Sequence, residues 1–308
     1  MFTIEDILVI YAIGFLILGV SIFVLPQQNK KSHFILHLPL LAFFGMLHAT
    51  VEFLTFWQLE HHASGSILNW SIALLLLASF ALLFEFGRRM TLISLPGLSN
   101  KFKEYSASWL YAILLLLIFF LSIIASDAHL GFVIATRFFV GFPAALLAGF
   151  SFWRQFKTAQ GDNRSPKLFL FCATFAFLIY GLSTIVMPSS DPNLSSMYVT
   201  QEQFINFFDF PVQSLRALCA VVAAFSIVYI VRRLNYEGMQ NEIKQMQEID
   251  HLHEIENINK VLIKQAEERR QFEEQLAKSE EHFRLLVENS HDIIYTLNAQ
   301  GVFTFGSM

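Results

Sequence analysis

The chain has 308 residues, 55% of them apolar and only 15% charged, against about 25% charged in ordinary soluble domains. Phenylalanine alone occurs 34 times, and the charges are sparse before residue 232 and dense after it. This asymmetry excludes a wholly soluble fold and predicts a membrane domain followed by a soluble one, while a net charge of −4 excludes the basic surface of a nucleic-acid binder.

The opening Met1-Phe2-Thr3-Ile4-Glu5-Asp6 lacks the basic stretch of a signal peptide. No small-residue cleavage site follows, so the first apolar run is expected to stay as a span. A bilayer core takes about 20 apolar residues per helix. Seven stretches qualify: 7–25, 33–57, 67–86, 109–125, 130–152, 168–187 and 210–231. Residues 1–231 are therefore expected to form an all-α membrane bundle of seven transmembrane helices. Lysine and arginine in the loops set its orientation. The first loop carries Lys30 and Lys31, the third Arg88, Arg89, Lys101 and Lys103, and the fifth Arg154, Lys157, Arg164 and Lys167. The tail opens with Arg232 and Arg233. The N-terminus and the even-numbered loops have neither residue and hold Glu5, Asp6, Glu60, Asp127, Asp191 and Glu202 instead. The predicted topology is N-out and C-in, with the bacterial cytoplasmic membrane as its place and lipid as its first partner. The longest outside loop, 188–209, leads into an aromatic-rich stretch, 203–210, that predicts a short interfacial helix or a lid.

Ionisable groups inside hydrocarbon are costly and usually face a partner or a cavity. Span two holds His37, His48 and Glu52; span five holds Arg137; span seven holds Arg216. His37 and His48 fall about 20° apart on a helical wheel, and Glu52 lies one turn beyond His48. Span two runs outward and spans five and seven run inward, so His48, Glu52, Arg137 and Arg216 are expected at one level in the outer half. Gln213 and Asp209 lie one and two turns outward of Arg216. Span six adds Tyr180, Ser183 and Thr184 near its outer end. Two readings stay open. In one, Glu52 pairs with an arginine and the set pins helices together. In the other, His48, Glu52, Arg137, Tyr180, Gln213 and Arg216 line a ligand site open to the outside. Two arginines against one glutamate favour a small anionic or carbonyl-bearing ligand, because guanidinium suits bidentate carboxylate recognition.

Other features read more simply. Cys172 and Cys219 are expected as small buried residues rather than a disulfide. His61, His62 and His129 lie at the outer rim near Glu60 and Asp127, but their spacing matches no metal-ligand motif. Neither a metal nor a cofactor is assigned. Span seven has no lysine for a retinal Schiff base. Glu85, beside Arg88 and Arg89, reads as a solvated interface residue. Gly141, Pro143 and Gly149 mark close packing or a kink in span five.

Residues 232–280 form the core of a long charged helix without proline, and Gly238 is its sole glycine. Ile255, Ile258, Leu262, Phe272, Leu276, Phe283 and Leu286 share one heptad frame, interrupted by Gln265, Arg269 and Ser279. Met239, Ile243 and Met246 fit a different frame, so the phase breaks between them. A parallel dimeric coiled coil is expected, and with it a homodimer.

From Ser279 the chain reads Ser-Glu-Glu-His-Phe-Arg-Leu-Leu-Val-Glu-Asn-Ser-His-Asp-Ile-Ile-Tyr-Thr-Leu-Asn-Ala-Gln-Gly-Val-Phe. It parses as an amphipathic helix, a strand at 293–297, a turn at 298–301 and a second strand at 302–305. With Asp292, Ile293, Ile294, Gly301 and Phe303, it closely resembles the opening of a PAS domain. The resemblance implies that residues 281–308 are the first quarter of that α/β fold. The stretch Phe44-Gly45-Met46-Leu47-His48-Ala49-Thr50-Val51-Glu52-Phe53 resembles the second-span motif of a group of bacterial seven-span sensors. That group often has a second histidine before the glutamate and a tryptophan after it, where this chain has Val51 and Phe53. Proteins of this architecture usually end in a histidine kinase core and less often in a diguanylate cyclase. The resemblance thus implies the sensory input half of a sensor histidine kinase, with a response regulator as downstream partner. The catalytic domain itself is not in this sequence. Three alternatives remain: the input half of a diguanylate cyclase, a small transporter with a regulatory tail, and a structural anchor for a sensing PAS domain. The absence of an internal repeat and of paired broken helices speaks against the transporter.

Overall fold

The computed structural model describes residues 4–25, 33–63, 65–93, 100–158, 164–187, 191, 194, 198–289 and 295–306. Lys30, Lys31, most of 188–197 and the Asp292-Ile293-Ile294 of the PAS resemblance lie outside the described residues. Two compact units are present, Met1–Met239 and Gln240–Met308. The first contains α1 (Ile4–Val24), α2 (His33–Glu60), α3 (Ser66–Ile93), α4 (Asn100–Ile124), α5 (Ala128–Ala135), α6 (Phe142–Thr158), α7 (Arg164–Thr184) and α8 (Gln201–Phe208). A π-helical turn, Thr136–Gly141, joins α5 to α6. The last helix, α9 (Val212–Glu288), contributes residues to both units.

Contacts fix the helix directions. Gly19 lies against Met46 and Gly45, while Tyr11 reaches His48, so α1 and α2 are antiparallel. His48 meets Ser79 and Gln58 meets Asn69, so α2 and α3 are antiparallel too. Phe80 faces Gly141 and Gly87 faces Ala148, which makes α3 parallel to the α5–α6 segment. Gly181 lies on Ala145 and Gly149 on Leu178, reversing direction into α7. Arg216 bonds Ser183 and Tyr229 stacks on Phe169, reversing it again into α9. Helices α1, α3, α5–α6 and α9 thus all start at one face of the bundle, here the proximal face. Arg88, Arg89, Arg154, Lys157, Arg232 and Arg233 follow at the distal ends of α3, α6 and the bundle part of α9, whereas Glu60, Asp127 and Glu202 belong to the proximal face.

Among the described residues, six helices are long and apolar enough to cross a membrane. The apolar part of α4, Trp109–Ile124, is shorter, so the fourth of the seven expected crossings rests on a shorter stretch. The outward faces are apolar: Leu116, Phe119, Ile123, Leu218 and Phe225 are each at least 60% exposed. Such a surface suits lipid rather than water, and the architecture is that of a multi-pass membrane protein. The inside is filled by Tyr11, Phe15, Phe44, Phe80, Phe86 and Phe152, all nearly or fully buried.

Glycines set the closest crossing. A Cβ built on Gly45 would stand 2.7 Å from the Gly19 nitrogen, and one on Gly19 would stand 2.6 Å from the Met46 nitrogen. Without side chains at these two positions the backbones of α1 and α2 touch, as small residues permit in membrane helices.

At the distal side the expectation of a solvated Glu85 fails. Its carboxylate accepts from Arg88 Nε (2.8 Å), Arg88 Nη2 (2.7 Å), Arg89 Nε and the Tyr111 hydroxyl (2.7 Å), and the side chain is only 15% exposed. The cluster ties α3 to α4. Glu85→Gln is expected to cost about 1–3 kcal/mol, since several hydrogen bonds to a charged group are weakened together. Denaturant unfolding in detergent checks this, and Tyr111→Phe should show a smaller part of the same loss.

In the second unit the strands β3 (Tyr295–Leu297) and β4 (Phe303–Gly306) pair antiparallel across the expected turn. Gly301 sits at φ 74°, and the Asn298 side chain accepts from the backbone of Gln300 and Val302. This is the local logic of an Asx-closed hairpin. In the first unit β1 (Val186–Met187) and β2 (Val199–Thr200) pair in parallel, and these two small sheets are all the strand present among the described residues.

Candidate functional site: a buried polar layer near the proximal face

His48 is fully buried and organises the layer. Ser79 Oγ donates to the Leu76 carbonyl at 2.8 Å, so toward His48 Nδ1, 3.1 Å away, it can only accept. The ring proton therefore sits on Nδ1. The single Nε2 lone pair then faces the hydroxyls of both Tyr11 (3.0 Å) and Tyr180 (3.1 Å), which also meet each other. Phe15, Phe44 and Phe80 close around the imidazole, with ring centroids at 4.6, 5.4 and 5.2 Å. Four helices, α1, α2, α3 and α7, are joined at this one ring.

Arg216, 3% exposed, has a different task. Its Nη2 donates to the carbonyls of Ser183 (2.5 Å) and Val186 (2.9 Å), and its Nε to Ser183 Oγ (3.3 Å). The Ser183 carbonyl lies in the last turn of α7, where helix geometry leaves acceptors without partners and the dipole favours a cation, and the Val186 carbonyl lies just beyond it in β1. Arg216 thus closes α7 and holds the start of the segment that leads through β1 to α8.

Arg137 and Glu52 are the unsettled pair. Glu52 is 4% and Arg137 9% exposed. Both act on one another electrostatically, and Arg216 acts on each. Yet neither arginine comes within 4 Å of the Glu52 carboxylate among the described ion pairs. The Glu52 carboxylate instead lies 3.7 Å from His48 Nε2, the unprotonated nitrogen of a neutral ring. Among the described residues, Glu52 Oε1, Arg137 Nε and Arg137 Nη1 are buried with no hydrogen-bond partner. The reading in which Glu52 pairs with an arginine is therefore not the arrangement seen. Arg137 stands on the π turn, where Phe142 N–H reaches back five residues to the Arg137 carbonyl. Such turns often accompany functional sites.

The six expected residues occupy the following places. His48, Glu52, Arg137, Tyr180 and Arg216 converge, each within electrostatic or hydrogen-bonding reach of the others. Gln213 lies one turn from Arg216 and is 9% exposed. Its Nε2 donates to Gln201 of α8 at 2.9 Å, and its Oε1 has no partner among the described residues. Ser183 accepts from Arg216, while Thr184 bonds back to Gly181. Asp209 stays outside the layer: it is exposed and caps α8 in the left-handed conformation. His37 is half-buried toward the distal side. Tyr11 and Ser79 belong to the layer and escaped the sequence reading. The aromatic segment does form a helix, α8, opened by a Thr200–Gln203 capping box, with Phe207 79% and Phe208 49% exposed.

Among the described residues no three His, Cys, Asp or Glu side chains converge as a metal ion would require. Comparison with protein-family models, with curated proteins and with solved structures gave no match.

Proposed function

We propose that the chain is the membrane-embedded sensory input half of a bacterial sensor histidine kinase, set N-out and C-in in the cytoplasmic membrane. The proximal face then looks outward, and a homodimeric coiled coil passes the state of the bundle to a PAS domain beginning near residue 281. A kinase core and a response regulator would lie downstream.

One observation carries this reading. The helix that brings Arg216 into the buried layer also bears a stripe of exposed apolar residues at heptad spacing. Ile255, Ile258, Leu262, Phe272, Leu276 and Phe283 are 41–71% exposed, although isolated exposed apolar stripes are poor in water and favour a partner helix. The rest of that surface is laced with i,i+4 ion pairs such as Glu256–Lys260 at 2.8 Å and Arg269–Glu273 at 3.0 Å. The Tyr295–Gly306 hairpin supports the PAS assignment, and the basic distal ends support the orientation.

Cysteine cross-linking in membranes tests the relay. Cys172 and Cys219 are first replaced by alanine. Single cysteines at Leu262, Phe272 or Leu276 should then form intermolecular disulfides about tenfold more readily than one at Glu267, on the opposite side of the heptad. Equal yields at all four positions would remove the dimeric relay and leave a solvated spacer.

A further inference from the structure

We propose that the level of the bundle between Arg137 and Glu52 binds a small carboxylate that also carries a hydrogen-bond donor, as an α-hydroxy or α-amino acid does. The inference rests on the reading of the bundle as a sensory domain and adds the class of what it senses.

Placement comes first. Phe80 of α3 touches His48 on one side, at a ring distance of 5.2 Å, and would meet a Cβ on Gly141 at 2.9 Å on the other. Glu52 is one turn from His48 along α2, and Arg137 one turn from Gly141 along the π segment. Because α2 and that segment run in opposite directions, both steps lead toward the proximal face. Glu52 and Arg137 therefore stand at one depth, flanking the layer just above the Phe80 ring.

Chemistry comes second. The other candidates at this depth are already committed. Both ring nitrogens of His48 are bonded, and Arg216 holds the Ser183 and Val186 carbonyls through Nη2 and Ser183 Oγ through Nε. Among the described residues, Arg137 Nε and Nη1 are buried donors without a partner, Glu52 Oε1 is a buried acceptor without one, and so is Gln213 Oε1, one turn from Arg216. Buried polar atoms without partners are costly. A plain anion would satisfy Arg137 and repel Glu52. A neutral donor would satisfy Glu52 and leave Arg137 alone. A carboxylate with a neighbouring hydroxyl or ammonium meets both at once, its carboxylate accepting from the guanidinium and its donor on the glutamate oxygen. Gln213, tied through Gln201 to α8, would feel the occupant and connect it to the outer segment.

The test is binding to the purified full chain in lipid nanodiscs, followed by isothermal titration with four probes: L-lactate, L-alanine, acetate and lactamide. Saturable binding is expected for lactate or alanine, and which of the two binds identifies the donor as hydroxyl or ammonium. Acetate lacks the donor and should bind about tenfold or more weakly, and lactamide, without the carboxylate, should not bind. Arg137→Gln should abolish binding and Arg137→Lys weaken it, because a compact ammonium does not present the spread of planar donors that a guanidinium does. Glu52→Gln should narrow the gap between lactate and acetate. The proposal is overturned if neither lactate nor alanine saturates the chain, if acetate binds as well as both, or if folded Arg137→Gln binds unchanged. Should that variant fail to fold, the four probes on the unaltered chain decide alone. Loss of binding with heptad cross-linking intact removes the ligand class and leaves the relay standing.

Discussion

A chain carrying Gly45→Leu is expected to lose the α1–α2 crossing and to fail to assemble a folded bundle. The glycine faces backbone rather than a side chain that can step aside: the Gly19 nitrogen and Cα would stand 2.7 and 2.9 Å from a new Cβ. Ordinary overpacking costs about 1–3 kcal/mol because side chains shift. Here two helices must separate, so the loss should exceed roughly 4 kcal/mol, the range reserved for gross steric failure. The same separation would pull Tyr11 from His48, which lies on α2 one turn beyond Gly45. Gly65 supplies the control, since none of the described residues lies within 4 Å of a Cβ there, and Gly65→Ala should leave unfolding unchanged. Denaturant titration in detergent and monodispersity after extraction read both variants. Equal behaviour of the two would mean that α1 and α2 do not cross at these residues.

Arg216→Leu should be the second most damaging single change. It strands the Ser183 and Val186 carbonyls inside the bundle and removes the donor to Ser183 Oγ. Each stranded acceptor costs about 1–3 kcal/mol, so a total loss of roughly 3–5 kcal/mol is expected, partly offset by the burial of leucine. Amide hydrogen exchange should locate the damage: protection is expected to fall at the end of α7 and in the Val186–Thr200 pairing before the rest of the bundle is affected. Arg216→Lys should recover only part of it, because an ammonium lacks the planar fork that spans separate acceptors. Uniform loss of protection across the bundle would contradict the placement of Arg216 as the closure of α7.

The membrane architecture was legible because hydrocarbon admits few solutions: long apolar helices and a basic side are dictated by the solvent. The convergence of His48, Glu52, Arg137, Tyr180 and Arg216 was legible for a related reason. Ionisable groups in such helices must find company, and alternating helix directions bring the matching depths together. Tyr11 and Ser79 were not legible. A tyrosine in an apolar run is as easily explained by packing, and a serine usually bonds its own helix, as Ser79 does to Leu76 while also serving His48. The division of labour between the arginines was hidden as well. It depends on which one lies beside the exposed end of α7, and no helical wheel carries that information. Glu85 misled because its arginine neighbours sit at a predicted loop, where ion pairs are usually wet. Its third partner, Tyr111, comes from a different helix.

The wide turn at Thr136–Gly141 has one more consequence. It accommodates an extra residue, so every side chain beyond it is rotated by about 100° from where a regular α-helix beginning at Ala128 would place it. Moving the turn along by one residue would swing only the residues it passes, leaving the helix before and after in place. Arg137 occupies the second position of that turn. A shift of the turn by one residue would therefore re-aim the Arg137 guanidinium and leave the helix on either side where it is.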